Sequence, residues 1–394
     1  MKKKILFVME NLRIGGAEKS LITLLSHLDY DKYEVDLFLF SKHGDFIELL
    51  PKSINVLEGP KDFQDYILNP KQSLYCLLKR KKMKLLFYKI IEILNIIFYR
   101  YILNKEYIGW NFIKKNISTI ENEYEIAIGF LEKKSIYFTI DRVNAKRKIG
   151  WIHTDYTKID FDYKLDNKYY SQLDKIVTVS DSCKEAFLSV FSNLESKTTI
   201  IENFISPKLI WELATSSSCN IFLEKNNISI VTVARLTKAK NLEIIIDAMK
   251  ILSPKYSIKW YIVGEGELRE TLKNKINING LDDNIILTGA TINPYIYMYQ
   301  ADIYVQTSIW EGFGITVAEA KTLCKPIIVN NIPEFSNQIE DYKTGLIYKD
   351  VTDLVVKIEQ LISDSNLKQK LINNLQLTQS NEIIQLTLID NLLT

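Results

Sequence analysis

Between residues 228 and 329, short apolar runs alternate with stretches of helical period, and that alternation leaves the chain very few folds to choose from. The runs at 228–233, 258–263, 285–287, 303–306 and 326–329 are rich in Ile, Val and Leu. Between them, residues 242–252, 267–278, 293–300 and 315–323 repeat apolar positions three and four apart, as one face of a helix requires. Strand, helix and strand in strict order predict a parallel sheet with right-handed crossovers. The chain opens the same way, with an apolar run at 4–9, a glycine turn at 11–16, a helical stretch at 17–28 (Leu21, Leu24, Leu25, Leu28) and a second run at 35–40. Further strand-like runs lie at 126–130, 149–152 and 176–179, and residues 71–105 and 353–394 read as helical. Pro207 and the polar run 215–220 break the pattern and predict an interdomain connection around 206–227. The expected fold is therefore α/β: two Rossmann-like, doubly wound domains, 1–205 and 206–394, facing across a cleft. The last helix is expected to pack back on the first domain. A length of 394 residues suits two such domains.

Charge and cysteine content remove several function classes. Fifty Lys and Arg oppose 48 Asp and Glu, so global charge argues neither for nor against nucleic acid and local patches decide; RNA-module signatures are missing. Cys76, Cys183, Cys219 and Cys324 are scattered with no C-x-x-C pair, which predicts free thiols and neither a disulfide nor a zinc framework. The apolar run after Met1 is too short for a signal peptide, and residues 90–103 carry Glu92, Asn95 and Arg100, too polar for a membrane span. A cytoplasmic protein is expected.

Every notable motif falls at a predicted strand end, where open α/β sheets bind ligands. Glu311-Gly312-Phe313-Gly314 opens the helical stretch that carries Glu319. A glycine turn into a helix gathers free N–H groups and the positive end of the helix dipole, an anion site. Two carboxylates beside it supply acceptors for hydroxyls, and an anion among hydroxyls describes a nucleotide sugar. The other reading is a solvated loop Glu and a helix-face Glu. Arg235 and Lys240 follow the run 228–233 across a loop, so that Lys240 reaches the first turn of the next helix. They can clamp a diphosphate, or they are a solvated basic turn with Lys238. Gly15-Gly16 lets backbone approach a phosphate, or simply turns strand into helix; the dinucleotide fingerprint is absent. Gly264-Glu265-Gly266 is a wall for a nucleotide base or a plain turn. His153 faces a sugar or serves the core. Asp160 and Asp162 form a D-x-D, read as a chance match, so no metal is expected. Residues 71–105 hold nine Lys or Arg and one acid, a local charge of +8, with apolar residues interleaved. The run Lys79-Arg80-Lys81-Lys82-Met83-Lys84 therefore offers contact with an anionic membrane surface, the alternative being a core helix with a basic face.

In chain order, Gly15-Gly16-Ala17-Glu18, Trp151-Ile152-His153-Thr154-Asp155, Val179-Ser180-Asp181-Ser182, Arg235 with Lys240, Asn293-Pro294-Tyr295 and the E-x7-E block from Glu311 to Glu319, preceded by Ser308, resemble the landmarks of family 4 retaining glycosyltransferases of GT-B fold. The resemblance implies a catalytic set of Glu311, Arg235, Lys240 and His153. Glu311 would hold hydroxyls of the donor sugar, Arg235 and Lys240 the leaving diphosphate, and His153 the sugar. Glu319 would hold the ribose, with Gly16, Phe313 and Gly314 completing the donor site, to which the base-wall reading adds Gly264, and no metal or other cofactor required. It implies transfer of a hexose, with retention, from a nucleotide diphosphate sugar (UDP-linked) to a glycan or lipid-linked glycan in capsule, exopolysaccharide or lipopolysaccharide synthesis, at the inner membrane face. The chain departs from the family at Cys324 and at Asn330-Asn331-Ile332-Pro333-Glu334, which leaves Glu334 and the donor sugar unassigned. The alternatives are a GT-B nucleotide-sugar epimerase and a catalytically silent glycan-binding partner of another transferase.

Overall fold

The computed structural model describes residues 2–98, 110, 114, 118–216, 221–222, 227–377 and 382–394. Cys219 and parts of the predicted connection (217–220 and 223–226) lie outside them, as do residues 99–105 of the predicted basic helix. The chain divides into two compact units, residues 1–202 with 388–394, and residues 203–387.

The first unit is a seven-stranded sheet of β1 (Lys3–Met9), β2 (Tyr33–Leu39), β3 (Asn55–Glu58), β4 (Ile120–Gly129), β5 (Val143–Ile152), β6 (Lys175–Thr178) and β7 (Thr198–Ile200), in the order β3-β2-β1-β4-β5-β6-β7. The second is a six-stranded sheet of β8 (Ile228–Val233), β9 (Ile258–Val263), β10 (Ile285–Gly289), β11 (Ile303–Gln306), β12 (Ile327–Asn330) and β13 (Leu346–Tyr348), in the order β10-β9-β8-β11-β12-β13. Neighbouring strands pair in parallel throughout. Parallel strands covered on both faces must be apolar on both, which is why Ile5 to Met9 and Ile303 to Gln306 are buried without alternation. Strand order reverses between β1 and β4 in the first sheet and between β8 and β11 in the second. Those reversals are the switch points at which loops diverge from the carboxyl edge and leave a crevice.

Three expectations change. The segment 206–227 is not all connection: the helix Pro207–Ala214 occupies its start, with Pro207 in the first turn, where a missing N–H costs nothing. The predicted helix 71–105 is two helices, Pro70–Lys79 and Met83–Phe98, broken at Lys81 with φ +54°. The break lets Arg80 reach Asp62 and Asp65 and Lys82 reach Asp62 at 2.6 Å. Two cations of the predicted membrane-facing run are therefore spent on ion pairs within the unit. Lys240 does not enter the helix Glu243–Leu252; it closes a separate 3-10 turn, Lys238–Lys240, ended by left-handed Asn241.

The final residues join the first unit. Lys3 Nζ donates to the Thr394 carbonyl at 2.8 Å and the Tyr33 hydroxyl to Asp390 at 2.8 Å. Among the described residues, no helix is long and apolar enough to cross a membrane.

Candidate functional site

The switch point of the second sheet gathers most of the motif residues. The loop after β8 carries Arg235 and Lys240; the loop after β11 carries Ser308 and Glu311. Hydrogen bonds stitch the two loops: Thr307 Oγ1 donates to the Lys240 carbonyl at 2.6 Å, and Ile309 N–H to the Ala239 carbonyl at 2.9 Å. Lys240 Nζ lies 2.5 Å from Glu311 Oε1, and the two side chains retain only 16% and 13% of their exposure. Ser308 Oγ donates to the same carboxylate oxygen at 2.7 Å. Behind it, Gln306 Nε2 donates to Ser308 Oγ at 3.0 Å, and the Tyr304 hydroxyl donates to Gln306 Oε1 at 2.7 Å. This buried line of side chains aims Glu311 outward from the strand end. Sequence reasoning missed Tyr304 and Gln306. Their signal was a polar glutamine inside an otherwise apolar strand, which a buried strand tolerates only when it is hydrogen-bonded. Arg235 is exposed, and its guanidinium has no hydrogen-bond or ion-pair partner among the described residues.

Gly314 holds φ +85° just before the helix Ile315–Thr322. A Cβ there would meet the Phe335 ring at 2.7 Å, so both backbone and space demand glycine. Gln338 Nε2 fixes the turn by donating to the Phe313 carbonyl at 2.5 Å. The opening N–H groups of that helix have no intrahelical acceptor and carry the positive end of its dipole. Glu319, on the same helix, is only 1% exposed, and the Tyr295 hydroxyl donates to its Oε1 at 3.0 Å. The two glutamates thus occupy different environments: Glu311 beside a cation at the rim, Glu319 under a phenol in the interior.

Gly264 and Gly266 earn their places through packing. Ala234 N–H donates to the Val263 carbonyl at 3.0 Å and Leu236 N–H to the Glu265 carbonyl at 2.9 Å, so the loops after β8 and β9 run backbone against backbone. A Cβ at Gly264, which has φ +152°, would lie 1.9 Å from the Ala234 carbonyl oxygen. Gly264→Ala is expected to cost about 2 kcal/mol or more from strain and overpacking. An unchanged denaturant midpoint would contradict this account of the Arg235 loop.

In the first unit, Gly16 begins the helix Gly16–His27 after β1, with its backbone exposed. Glycine at 44 (φ +130°) allows the loop after β2 to pack against the loop after β1: Leu12 N–H donates to the His43 carbonyl at 3.0 Å. His153 follows β5, its N–H on Glu132 Oε2 at 3.0 Å and its ring 4.8 Å from that of Phe130. The residue keeps some exposed surface, but ring Nε2 is sealed from solvent and has no hydrogen-bond partner among the described residues. Burial pushes its pKa down to about 3, offset only in part by a hydrogen bond that the ring donates to the Phe130 backbone carbonyl. The imidazole is therefore neutral near pH 7 and serves hydrogen bonding, not charge. The unfolded chain binds this proton near pH 6.5, the folded one only near 3, so stability is lost as pH falls through that window. The Tm of the wild type should drop faster than that of His153→Gln between about pH 6.5 and about pH 4; parallel curves would contradict the burial account.

Of the D-x-D pair, Asp162 engages through its carboxylate and Asp160 through its backbone carbonyl. Asp162 caps the helix Tyr163–Tyr170 by accepting from Leu165 N–H at 3.0 Å. The Asp160 carbonyl accepts from Lys133 Nζ. Among the described residues, no group of three or more His, Cys, Asp or Glu side chains stands close enough to hold a metal ion.

Residues 219–377, inside the second unit, match the family described as glycosyl transferases group 1. Every second-unit motif residue named above, from Arg235 to Gln338, lies within the matched segment. Among curated relatives, the chain is 27% identical over 325 residues to the N-acetylgalactosamine-N,N'-diacetylbacillosaminyl-diphospho-undecaprenol 4-alpha-N-acetylgalactosaminyltransferase of Campylobacter jejuni, covering 81% of this chain and 78% of that one. It is 27% identical to an uncharacterised glycosyltransferase of Methanocaldococcus jannaschii, but only over 51% of this chain and 54% of that one. A second such protein of the same organism is 31% identical, with 40% of its length matched. The chain thus spans about half or less of the length of these two archaeal relatives. Among solved structures, Anabaena HepE in complex with UDP and glucose superposes with a TM-score of 0.70 at 18% identity, covering 100% of both chains. WaaG, described as a glycosyltransferase involved in lipopolysaccharide biosynthesis, superposes with a TM-score of 0.64 at 13% identity over 98% of both chains. These likenesses assign the two doubly wound units to the GT-B fold.

Proposed function

We propose that this protein is a retaining glycosyltransferase that moves a hexose from a nucleotide diphosphate sugar, UDP-linked, to a glycan or lipid-linked glycan of a bacterial surface polysaccharide. The observation that carries the reading is the Lys240–Glu311–Ser308 cluster at the switch point, beside a helix start and with Lys240 on the loop that also carries Arg235, whose guanidinium has no partner among the described residues. The energetic difficulty of the reaction is negative charge appearing on the departing diphosphate. Arg235, Lys240 and the N-terminus of helix Ile315–Thr322 meet that charge as fixed, preorganised partners. Lys240, held by Glu311, bridges the carboxylate and the phosphate. Glu311 accepts from sugar hydroxyls; Glu319 accepts from the ribose, sharing its carboxylate with Tyr295. No side chain is assigned as a nucleophile, so the acceptor hydroxyl attacks on the leaving-group face and the departing phosphate takes its proton. No metal is invoked.

The group 1 match and the undecaprenol-linked substrate in the Campylobacter relative's name support the donor and acceptor classes. The test is a mass-spectrometric screen of nucleotide sugars with a lipid-linked glycan acceptor, followed by NMR of the product's anomeric configuration. Acceptor mass rising by one hexose, with donor configuration kept, is the expected result. Inversion would end the retaining reading. Donor isomerised without acceptor would make the protein an epimerase, and absence of donor binding would make it a silent glycan-binding partner.

A further inference from the structure

The helix Met83–Phe98 is turned inside out for a helix on a water-facing surface. Its one ion pair among the described residues, Lys89 Nζ to Glu92 Oε1 at 3.0 Å, is buried, with the ammonium 4.8 Å from the centre of the Tyr66 ring. Its apolar residues Met83, Phe87, Ile90, Leu94 and Ile97 face outward, Phe87 at 60% and Ile97 at 62% exposure. Steps of four and three keep these five on one face along the helix. The preceding helix, Pro70–Lys79, adds exposed Tyr75 and Leu78. Leu77 and Leu85 pack into the core of the first unit, and the ion pairs of Arg80 and Lys82 with Asp62 and Asp65 pin the join. The pair is therefore anchored by one side and offers the other.

The charge around this face selects its occupant. Lys71, Lys79, Lys81 and Lys84 are exposed, and Glu92, the sole acid from residue 70 to 98, is buried. A second copy of the chain docking through the same face would bring lysines to lysines with no carboxylate to meet them. An anionic phospholipid layer answers both features: headgroup phosphates for the lysines, and the acyl boundary for an apolar stripe sunk about 5–10 Å. We propose that the face formed by helices Pro70–Lys79 and Met83–Phe98 docks on an anionic phospholipid surface. The docking elements are the stripe from Met83 to Ile97 and the lysines beside it, a wider site than the basic run at 79–84.

Vesicle co-sedimentation tests this without donor or acceptor, so its failure leaves the transfer reading untouched. Wild type should bind phosphatidylcholine vesicles containing phosphatidylglycerol and not phosphatidylcholine alone, more weakly as salt rises. Phe87→Glu with Ile90→Glu, both exposed positions, should keep the wild-type Tm and lose about tenfold or more in partitioning. Lys79→Gln, Lys81→Gln and Lys84→Gln together should lose roughly a hundredfold at low salt. Failure to bind, equal binding to both vesicle types, or full binding by the Phe87/Ile90 variant would each overturn the proposal. So would a lipid-free dimer in sedimentation velocity that the same variant dissolves, because the face would then belong to a second copy.

Discussion

Arg235→Ala should lower kcat by about 10²- to 10³-fold, the loss seen when one preorganised donor to a developing anion is removed. The same variant should keep the wild-type Tm, because the side chain is exposed and makes no contact whose loss would weaken the unit. That separation of activity from stability is the signature of a residue reserved for a ligand. Arg235→Lys keeps the charge but not the planar fork, and should recover only part of the rate. Wild-type turnover in Arg235→Ala would remove this residue from the site.

The second large effect concerns the ion pair. In Lys240→Met, Glu311 is left at the strand end with Ser308 as its remaining partner and little solvent to compensate. Breaking a largely desolvated pair costs about 3–5 kcal/mol when fully buried, and the residual exposure here puts the expectation at about 2–3 kcal/mol. Glu311→Leu strands the ammonium in the same way. The double variant removes both charges and should lie well above the sum of the single losses, with a coupling energy on the order of 1–2 kcal/mol. Turnover should fall in all three variants to a similar level, because the residues act as a unit. Additive stability losses in denaturant titrations, or a large rate difference between the two single variants, would contradict the pairing. Gln306→Leu should reproduce part of the activity loss by releasing Ser308, although it lies deeper in the sheet.

The repeated strand–helix order made the α/β class and most central strands readable, since strands buried on both faces must be apolar throughout. The strands that escaped, β3, β7 and β13, are edge strands of three or four residues, too short for any period to emerge. The helix break at Lys81 was hidden because four consecutive cations say nothing about the acids at 62 and 65 that draw two of them away. At the candidate site, the residue types and their strand-end locations were legible. Their mutual relations were not. Arg235 and Lys240 read alike as a diphosphate clamp, yet one is exposed with no partner among the described residues while the other is held on Glu311. Glu311 and Glu319 read alike as hydroxyl acceptors, yet one lies at the rim and the other under Tyr295. Such differences depend on contacts between residues dozens of positions apart, such as Lys240 with Glu311, which local spacing does not encode. The exposed stripe from Met83 to Ile97 was hidden for the same reason: periodicity shows that a helix has an apolar face, not which way that face turns.

The most direct test of the account is calorimetric titration of nucleoside diphosphates, UDP first, and their matching monophosphates into wild type and Arg235→Ala with Lys240→Met. The account predicts that a diphosphate binds the wild type more tightly than its monophosphate and that the double variant erases the difference. Equal affinity for both nucleotides in wild type, unchanged in the variant, would contradict the claim that the cations after β8 hold the leaving diphosphate.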